Sequence, residues 1–254
     1  MEFGSFDLAY LLPFIAVGFA AQIVDGAVGM AFGVISSTLL VAVMGVPPAV
    51  ASQRIHLVEC FTTATSGISH LLHGNIDKRL FFRLLLPGVA GGVLGAYVLS
   101  SVDAGMVKPF VLVYLSGIGL YLLWRGIMYP PKIRDAKYIA PLGLVGGFLD
   151  AAGGGGWGPV VTSNLIIQGA DPRKVVGTVN SVEFFLTVTV SIAFIWHLGV
   201  ADVAGATLGL LIGGILAAPF GAWAAKHIPA KGLLILVGAV LTVTSGYGVW
   251  SAWG

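Results

Sequence analysis

Two acidic residues in this chain each precede a run of glycines inside an otherwise apolar stretch. Asp25 begins Asp-Gly-Ala-Val-Gly-Met-Ala-Phe-Gly, and Asp150 begins Asp-Ala-Ala-Gly-Gly-Gly-Gly-Trp-Gly. An apolar segment resumes after each run, which predicts a break followed by a new helix. The first N–H groups of a helix are unpaired and its dipole is positive there, while glycine lets an anion approach the backbone closely. The two turns therefore predict an anion-binding site.

The residues expected to bind substrate at these turns are the glycines and one aromatic neighbour, namely Gly26, Gly29, Gly154, Gly155, Gly156 and Trp157. The glycines also fit close helix packing through small residues, and packing is compatible with a binding site. The two aspartates have two open roles. They either cap the helices that follow, by accepting backbone N–H bonds, or take a direct part in moving ions or protons.

A second set of polar residues recurs on one face of two predicted helices. The first helix carries His56, Glu59 and Thr63, and the second carries Asn180, Glu183 and Thr187. Their spacing of i, i+3 and i+7 places each triplet on one helix face. Ionisable residues deep in an apolar segment are costly and are normally functional. Burial disfavours a charged carboxyl group, which suits a carrier of protons. A structural ion pair between Glu59 and Arg54 or His56 is the alternative.

Arg54 is the one Lys or Arg that the sequence places inside the membrane. A guanidinium group matches the oxygens of a carboxylate, sulfite or sulfonate, so we expect Arg54 to bind substrate. A salt bridge from Arg54 to Glu59 or Asp25 is the competing interpretation. The other substrate-binding candidates on these two helices are Gln53, His56, Thr178 and Asn180. The candidates for proton coupling are Glu59, Glu183, Asp25 and Asp150.

The composition indicates that these residues are positioned by membrane helices. Hydrophobic residues make up 57% of the chain and charged residues only 9%, whereas a soluble domain has about 25% charged residues. Apolar stretches long enough to cross roughly 30 Å of hydrocarbon recur throughout. The net charge of +2 gives no reason to expect a nucleic-acid partner. The expected partners are the lipid bilayer and a small anion, and a homodimer is left open.

Chemistry that depends on a cofactor is not expected. The single cysteine, Cys60, cannot form an internal disulfide or a cysteine-based metal site. No nucleotide-binding loop, metal-ligand cluster or nucleophile motif occurs in the sequence. We therefore expect neither a metal nor a cofactor, and not an enzyme.

The chain divides into two similar halves. An offset of 125 aligns Asp25 with Asp150, and an offset of 124 aligns Glu59 with Glu183. We predict an all-α integral membrane protein with a first repeat at 1–128, a cytoplasmic connector at 129–137 and a second repeat at 138–254. Each repeat has five hydrophobic segments. These segments lie at about 8–24, 28–44, 49–73, 80–100 and 106–127, and at 138–149, 157–168, 173–199, 203–225 and 231–252.

An odd number of segments per repeat predicts that the second repeat is inverted. Cytoplasmic loops carry the excess of Lys and Arg. With both termini outside and the connector inside, eleven of the 13 Lys and Arg fall on the cytoplasmic side, and Lys108 falls outside. The eleven are Lys78, Arg79, Arg83, Arg125, Lys132, Arg134, Lys137, Arg173, Lys174, Lys226 and Lys231. The first two segments of each repeat either cross the membrane or form a re-entrant hairpin with a glycine tip. The second pair reaches only about 18 Å per segment, which favours hairpins.

These motifs resemble the TauE/SafE family of sulfite exporters, also called the toluene-sulfonate uptake permease family. The resemblance covers about 10 to 250 and rests on four motifs. They are Asp25-Gly-x-x-Gly with Gly33, Asp150-x-x-Gly-Gly-Gly-Gly-x-Gly-Pro159, Asp171-Pro-Arg-Lys-Val-Val-Gly-Thr178, and Val-Glu-x-Phe at 58–61 and 182–185. The resemblance implies a secondary transporter of small sulfur-containing or carboxylic anions, such as sulfite, sulfoacetate or related organosulfonates.

The expected function is proton-driven transport of a small oxyanion across a bacterial inner membrane. Alternating access would take place around the paired glycine turns. Arg54 and the glycine N–H groups would hold the substrate while a glutamate exchanges protons. An anion channel is one alternative. A membrane-embedded enzyme acting on a lipid or quinone is another, and it would need a metal or nucleophile cluster at one interface.

Overall fold

A computed structural model describes residues 8–28, 30–128, 137–168, 170–199, 203–227 and 230–253. Gly29 and the connector residues 129–136 lie outside this described part. Every regular element in the described ranges is helical. This agrees with the all-α prediction from the apolar segments.

The helices of the first half are α1 (Leu8–Val28), α2 (Phe32–Thr38) with a π-helical extension at Leu39–Val43, α3 (Pro48–Leu72), α4 (Lys78–Ser101) and α5 (Ala104–Ile127). Those of the second half are α6 (Ile139–Gly153), a π-helical segment at Trp157–Thr162 that continues as α7 (Ser163–Ile167), α8 (Pro172–Leu198), α9 (Val203–His227) and α10 (Ala230–Trp253). They match the predicted apolar segments to within about one helical turn.

The outer surface of the helix bundle is apolar. Three described helices are long and apolar enough to cross a membrane, at Lys78–Ser101, Ala104–Ile127 and Lys174–Leu198. Large apolar side chains on these helices point away from the core, including Leu86 at 75% exposure and Trp196 at 85%. Exposed apolar surface of this extent marks contact with a membrane or a partner. Lipid-facing helices account for it directly.

Helices from different halves pack against each other through glycines. A methyl group on Gly18 of α1 would overlap the backbone of Leu210 in α9, and one on Gly147 of α6 would overlap that of Gly88 in α4. In the same way, Gly119 of α5 packs against the backbone of α10. Close backbone approach at small residues is the usual packing of membrane helices. The two halves are therefore interleaved in the helix bundle.

Helices α3 and α8 lie side by side and run in opposite directions. Gln53 near the start of α3 donates to the carbonyl oxygen of Gly199 beyond the end of α8, at 2.8 Å. At the other end, Thr178 near the start of α8 accepts a 2.8 Å hydrogen bond from the N–H of Asp77, which follows α3. By this register, the midpoint of the pair falls near Thr63. The triplets of polar residues thus meet at the centre of the bundle.

Candidate functional site

The two glycine turns meet back to back at the centre of the bundle. A methyl group on Gly33, at the start of α2, would lie 2.8 Å from the Cα atom of Gly155. Gly155 has φ +144, a backbone conformation that side chains rarely allow. A methyl group on Gly158 would lie 2.8 Å from the Cα atom of Met30. The predicted packing role of the turn glycines is therefore present, and it joins the two turns into one structure.

Each aspartate accepts hydrogen bonds from the helix start that follows it. Asp25 Oδ1 accepts from the N–H of Ala31 at 2.8 Å and of Phe32 at 3.2 Å. Asp150 Oδ1 accepts from the N–H of Gly156 at 2.8 Å and of Trp157 at 2.9 Å. The donors are equivalent under the offset of 125. These bonds are the capping that the sequence offered as one of two roles, and they occur in both halves.

A cavity of about 290 Å³ lies beside the paired turns and is lined by both halves. Its polar lining consists of Gln22, Asp25, Glu59, Thr62, Thr63, Ser66, His70, Asp150, Asn180 and Glu183. The turns contribute Gly33, Gly155, Gly156 and Gly158. Met30, Ala31, Phe32, Val34, Pro159 and Val176 complete the described lining. Four carboxyl groups thus share one small space, and no Lys or Arg is among these described lining residues.

The two glutamates lie on either side of the midpoint of the α3–α8 pair. By the register of the pair, Glu59 and Glu183 are offset along the helix axis by eight residues, or about 12 Å. Glu59 is 5% exposed, and its Oε2 atom has no hydrogen-bond partner among the described residues. Carboxyl groups that share a poorly solvated site repel one another when they are charged.

His56, predicted to bind substrate, is not among the described residues that line the cavity but contacts Asp150, which is. Its ring is fully buried, and Nε2 lies 3.1 Å from Asp150 Oδ2. On the other side of the ring, Nδ1 lies 2.8 Å from the carbonyl oxygen and 3.3 Å from the hydroxyl oxygen of Ser52. The imidazole therefore links helix α3 to the glycine turn that begins at Asp150.

The equivalent position in the second half makes a different contact. Asn180 corresponds to His56 under the offset of 124, and Asp25 corresponds to Asp150. Asn180 donates to the hydroxyl oxygen of Ser66 at 2.8 Å. Helix α3 of the first half therefore contacts the glycine turn of the second half through His56 and Asp150. At the equivalent place in the second half, Asn180 and Asp25 both line the cavity.

The structure places several predicted binding residues away from the cavity. The Arg54 guanidinium carbon lies over the ring of Phe14, 5.7 Å from its centroid. Trp157 is fully buried and donates to the carbonyl oxygen of Val179 at 3.2 Å. Gly154 adopts φ +70 and packs against Ser37. Gln53 and Thr178 make the α3–α8 contacts already given, Gly26 lies in the last turn of α1, and Gly29 is outside the described residues.

The structure brings together Asp25, Glu59, Asp150, Asn180, Glu183, Gly155 and Gly156 among the predicted residues. It adds Ser66 and His70, which the sequence analysis did not propose for binding. Both continue the face of α3 that carries Glu59, at i+7 and i+11, so the helical spacing contained that signal. Arg125, counted with the cytoplasmic charges, is only 6% exposed in the last turn of α5. Arg54 is therefore not the single buried guanidinium.

A polar cavity between two interleaved halves of an apolar helix bundle is the arrangement of a membrane transporter. The chain matches the family described as sulfite exporter TauE/SafE over residues 14–248. It is 40% identical over 252 residues to the probable membrane transporter protein YtnM of Bacillus subtilis (strain 168), covering 96% of this chain and 84% of that protein. It is 25% identical over 229 residues to a probable membrane transporter protein of Haemophilus influenzae, covering 84% of this chain and 86% of the relative. No solved structure matches the chain.

The chain therefore belongs to the TauE/SafE sulfite exporter family. It is a multi-pass membrane transporter.

Proposed function

We propose that the protein is a proton-coupled secondary transporter of a small oxyanion in a bacterial inner membrane. Sulfite is the substrate that the family description names, and organosulfonates such as sulfoacetate are the related anions that the sequence resemblance implies. The observation that carries the proposal is the central cavity, where both glycine turns and four carboxyl groups meet. At roughly 30 Å³ per water molecule, its 290 Å³ leaves room for one small anion with several waters.

Proton coupling is supported by the carboxyl groups that line the cavity. Asp25 and Asp150 each accept two backbone N–H bonds. Among the described residues, no backbone N–H donates to the carboxyl group of Glu59 or Glu183. An anion added to four carboxylates would be repelled, whereas a neutral glutamate donates its O–H to an oxyanion. The anion and at least one proton therefore enter the cavity together.

The backbone supplies the other donors for the anion. The first N–H groups of a helix have no partner within the helix. At the start of α2 and of the π-helical segment, the aspartates accept hydrogen bonds from the N–H groups of Phe32 and Trp157. The next residues along the chain, Gly33 and Gly158, line the cavity. Both helix starts direct their positive ends to the same space. This supports the convergence of two helix starts on one anion.

Inverted repeats are supported by the directions of the helices. Helix α3 pairs with α8, its counterpart in the other half, and the two are antiparallel. In the repeat, α6 is the counterpart of α1, and α4 is the counterpart of α9. The packing of α1 against α9 is matched by the packing of α6 against α4, as the repeat requires. The helices that follow the glycine turns, at 32–43 and 157–167, extend only about 18 Å, which is too short to cross the membrane. We therefore propose repeats at 1–128 and 138–254, each beginning with a re-entrant hairpin.

Alternating access is supported by the unequal contacts of the two halves. The bond between His56 and Asp150 closes the space beside one glycine turn, while the equivalent space beside Asp25 is open. His70 and Ser66 extend this opening towards the end of α3 that the charge pattern assigns to the cytoplasm. We assign this arrangement to the inward-facing state. In the outward-facing state, the space beside Asp25 would be closed and the space beside Asp150 open. Glu59 and Glu183 would then be exposed to opposite sides of the membrane in the two states.

The test is transport in proteoliposomes loaded with radiolabelled sulfite or sulfoacetate. We expect saturable flux, counterflow and acceleration by a pH gradient, with protein-free liposomes as the control. Flux that rises linearly with concentration and shows no counterflow would instead support the anion channel. A transport rate that is the same with and without the pH gradient would contradict proton coupling.

A further inference from the structure

A second cavity, an apolar groove of about 780 Å³, lies on the outside of helices α3, α4 and α8. Its walls include Ile68 and Leu71 of α3, Phe82 of α4 and Phe185 of α8. These side chains are exposed, from 46% for Phe185 to 67% for Phe82. In a membrane protein, apolar side chains on the outer surface face lipid. The groove is therefore open to the bilayer, in contrast to the polar central cavity.

The groove has the length of an acyl chain in one leaflet. One end is lined by Gly74 and Lys78, where α3 ends and α4 begins, and the other by Thr63 near the midpoint of α3. The eleven residues from Thr63 to Gly74 correspond to about 16 Å of helix rise. Half of a bilayer's hydrocarbon core is about 15 Å. The groove thus runs from the membrane surface to the bilayer centre.

The end of the groove at the membrane surface is basic. Lys78 lines it, and the exposed residue Arg79 follows on the next position of α4. The Lys174 ammonium group donates to the carbonyl oxygen of Gly74 at 2.7 Å, at the same end. A basic cluster beside an apolar groove matches an anionic phospholipid, whose phosphate and acyl chain need these two environments.

We propose that this groove binds one acyl chain of an anionic phospholipid, with the lipid phosphate held by Lys78. Thr63 lines both the groove and the central cavity, so at this level the two spaces share a lining residue. The bound acyl chain completes the wall between them and keeps water in the cavity from meeting the bilayer. This proposal is independent of which substrate the central cavity carries.

The first experiment measures lipid binding to the delipidated full-length protein. Phosphatidylglycerol and phosphatidylcholine are added back in detergent, and binding is followed by native mass spectrometry and by thermal unfolding. We expect phosphatidylglycerol to bind more tightly and to raise the melting temperature more. Each Lys near an anionic lipid contributes about 1 kcal/mol, so Lys78→Gln should weaken phosphatidylglycerol binding about fivefold. Arg79→Gln, with the same loss of charge outside the groove lining, should change it less.

A second pair of variants tests the apolar part of the groove. Ala64 lines the groove, so Ala64→Phe should fill it and reduce the number of lipids retained. Leu86→Phe adds bulk to an exposed part of α4 outside the groove lining and should have no such effect. Equal binding of the two lipids, or equal effects of Lys78→Gln and Arg79→Gln, would overturn the proposal. It would also fail if the groove proved to be a dimer interface, seen as a dimer that Ala64→Phe dissociates without any change in lipid content.

Discussion

The Nε2 atom of His56 lies 3.1 Å from Oδ2 of Asp150, and this bond joins α3 of one half to the glycine turn of the other. Asp150 uses its second oxygen to cap the helix start at Gly156 and Trp157. A single carboxyl group therefore fixes the turn and holds the two halves together. The same carboxyl group lines the central cavity, so the link between the halves borders the space where we propose that the anion binds.

We predict that His56→Asn opens this link, since Asn is too short to replace the imidazole. Losing one partner of a buried polar pair costs about 1–3 kcal/mol. The melting temperature of the variant in detergent should fall, and proteoliposome flux should slow. His197→Asn, at an exposed site near the end of α8, is the matched control and should change neither. If the two variants behave alike, the bond from His56 to Asp150 does not hold the halves together.

The two roles left open for the aspartates can be separated by paired substitutions. Asn keeps an oxygen that accepts the N–H bonds of the cap, whereas Ala removes it. We expect Asp25→Ala and Asp150→Ala each to lower stability by about 0.5–2 kcal/mol, and the Asn variants to retain most of it. If Asp25→Asn keeps normal flux, capping is its whole role. Loss of proton-driven flux in a stable Asp25→Asn protein would show that this carboxyl group carries protons.

Glu183→Gln should separate substrate binding from proton coupling. Gln stays neutral at every pH and can still donate a hydrogen bond to an anion. We expect counterflow and binding to persist while flux driven by a pH gradient is lost. In the wild type, binding of the anion should weaken as pH rises, because the glutamate that donates to it loses its proton. In Glu183→Gln this pH dependence should be smaller. Full proton-driven flux in the variant would contradict the assignment.

Arg54 provides the contrasting case. The sequence predicts that Arg54 binds substrate, but the structure places its guanidinium over Phe14 and not among the described residues of the cavity lining. We therefore expect Arg54→Gln to leave the dissociation constant for the anion within about twofold of wild type. Isothermal titration calorimetry in detergent gives this constant directly. A loss of tenfold or more, or about 1.4 kcal/mol, would restore Arg54 to the binding site.

Gly155→Ala tests the contact between the two turns. Gly155 has φ +144, and a methyl group there would overlap the backbone of Gly33 and Val34. We expect loss of folded protein or a large fall in melting temperature. Gly117→Ala is the control because no atom lies within 4 Å of the added methyl group. Since Ala is favoured over Gly in a helix by about 1 kcal/mol, Gly117→Ala should be neutral or stabilising.

The sequence by itself determined where the helices lie and where they break. Apolar runs have a length set by the bilayer, and the acid-glycine motifs at Asp25 and Asp150 specify helix starts through local hydrogen bonds. Both signals act within a few residues of the chain, so they can be recognised without knowing the fold. The sharing of one helix face by Glu59 and Thr63 is also local, because it follows from helical periodicity.

Only the tertiary structure decided which polar residues share a space. Arg54 and Glu59 are five positions apart, or about 140° around the helix, and the Arg54 guanidinium lies over the ring of Phe14 in α1. His56 could have paired with Glu59 on its own helix, yet it bonds Asp150, 94 positions away. Such partners depend on how two distant segments pack. The hydrophobic pattern of the sequence specifies that helices pack, but not the rotation and register that bring particular side chains together.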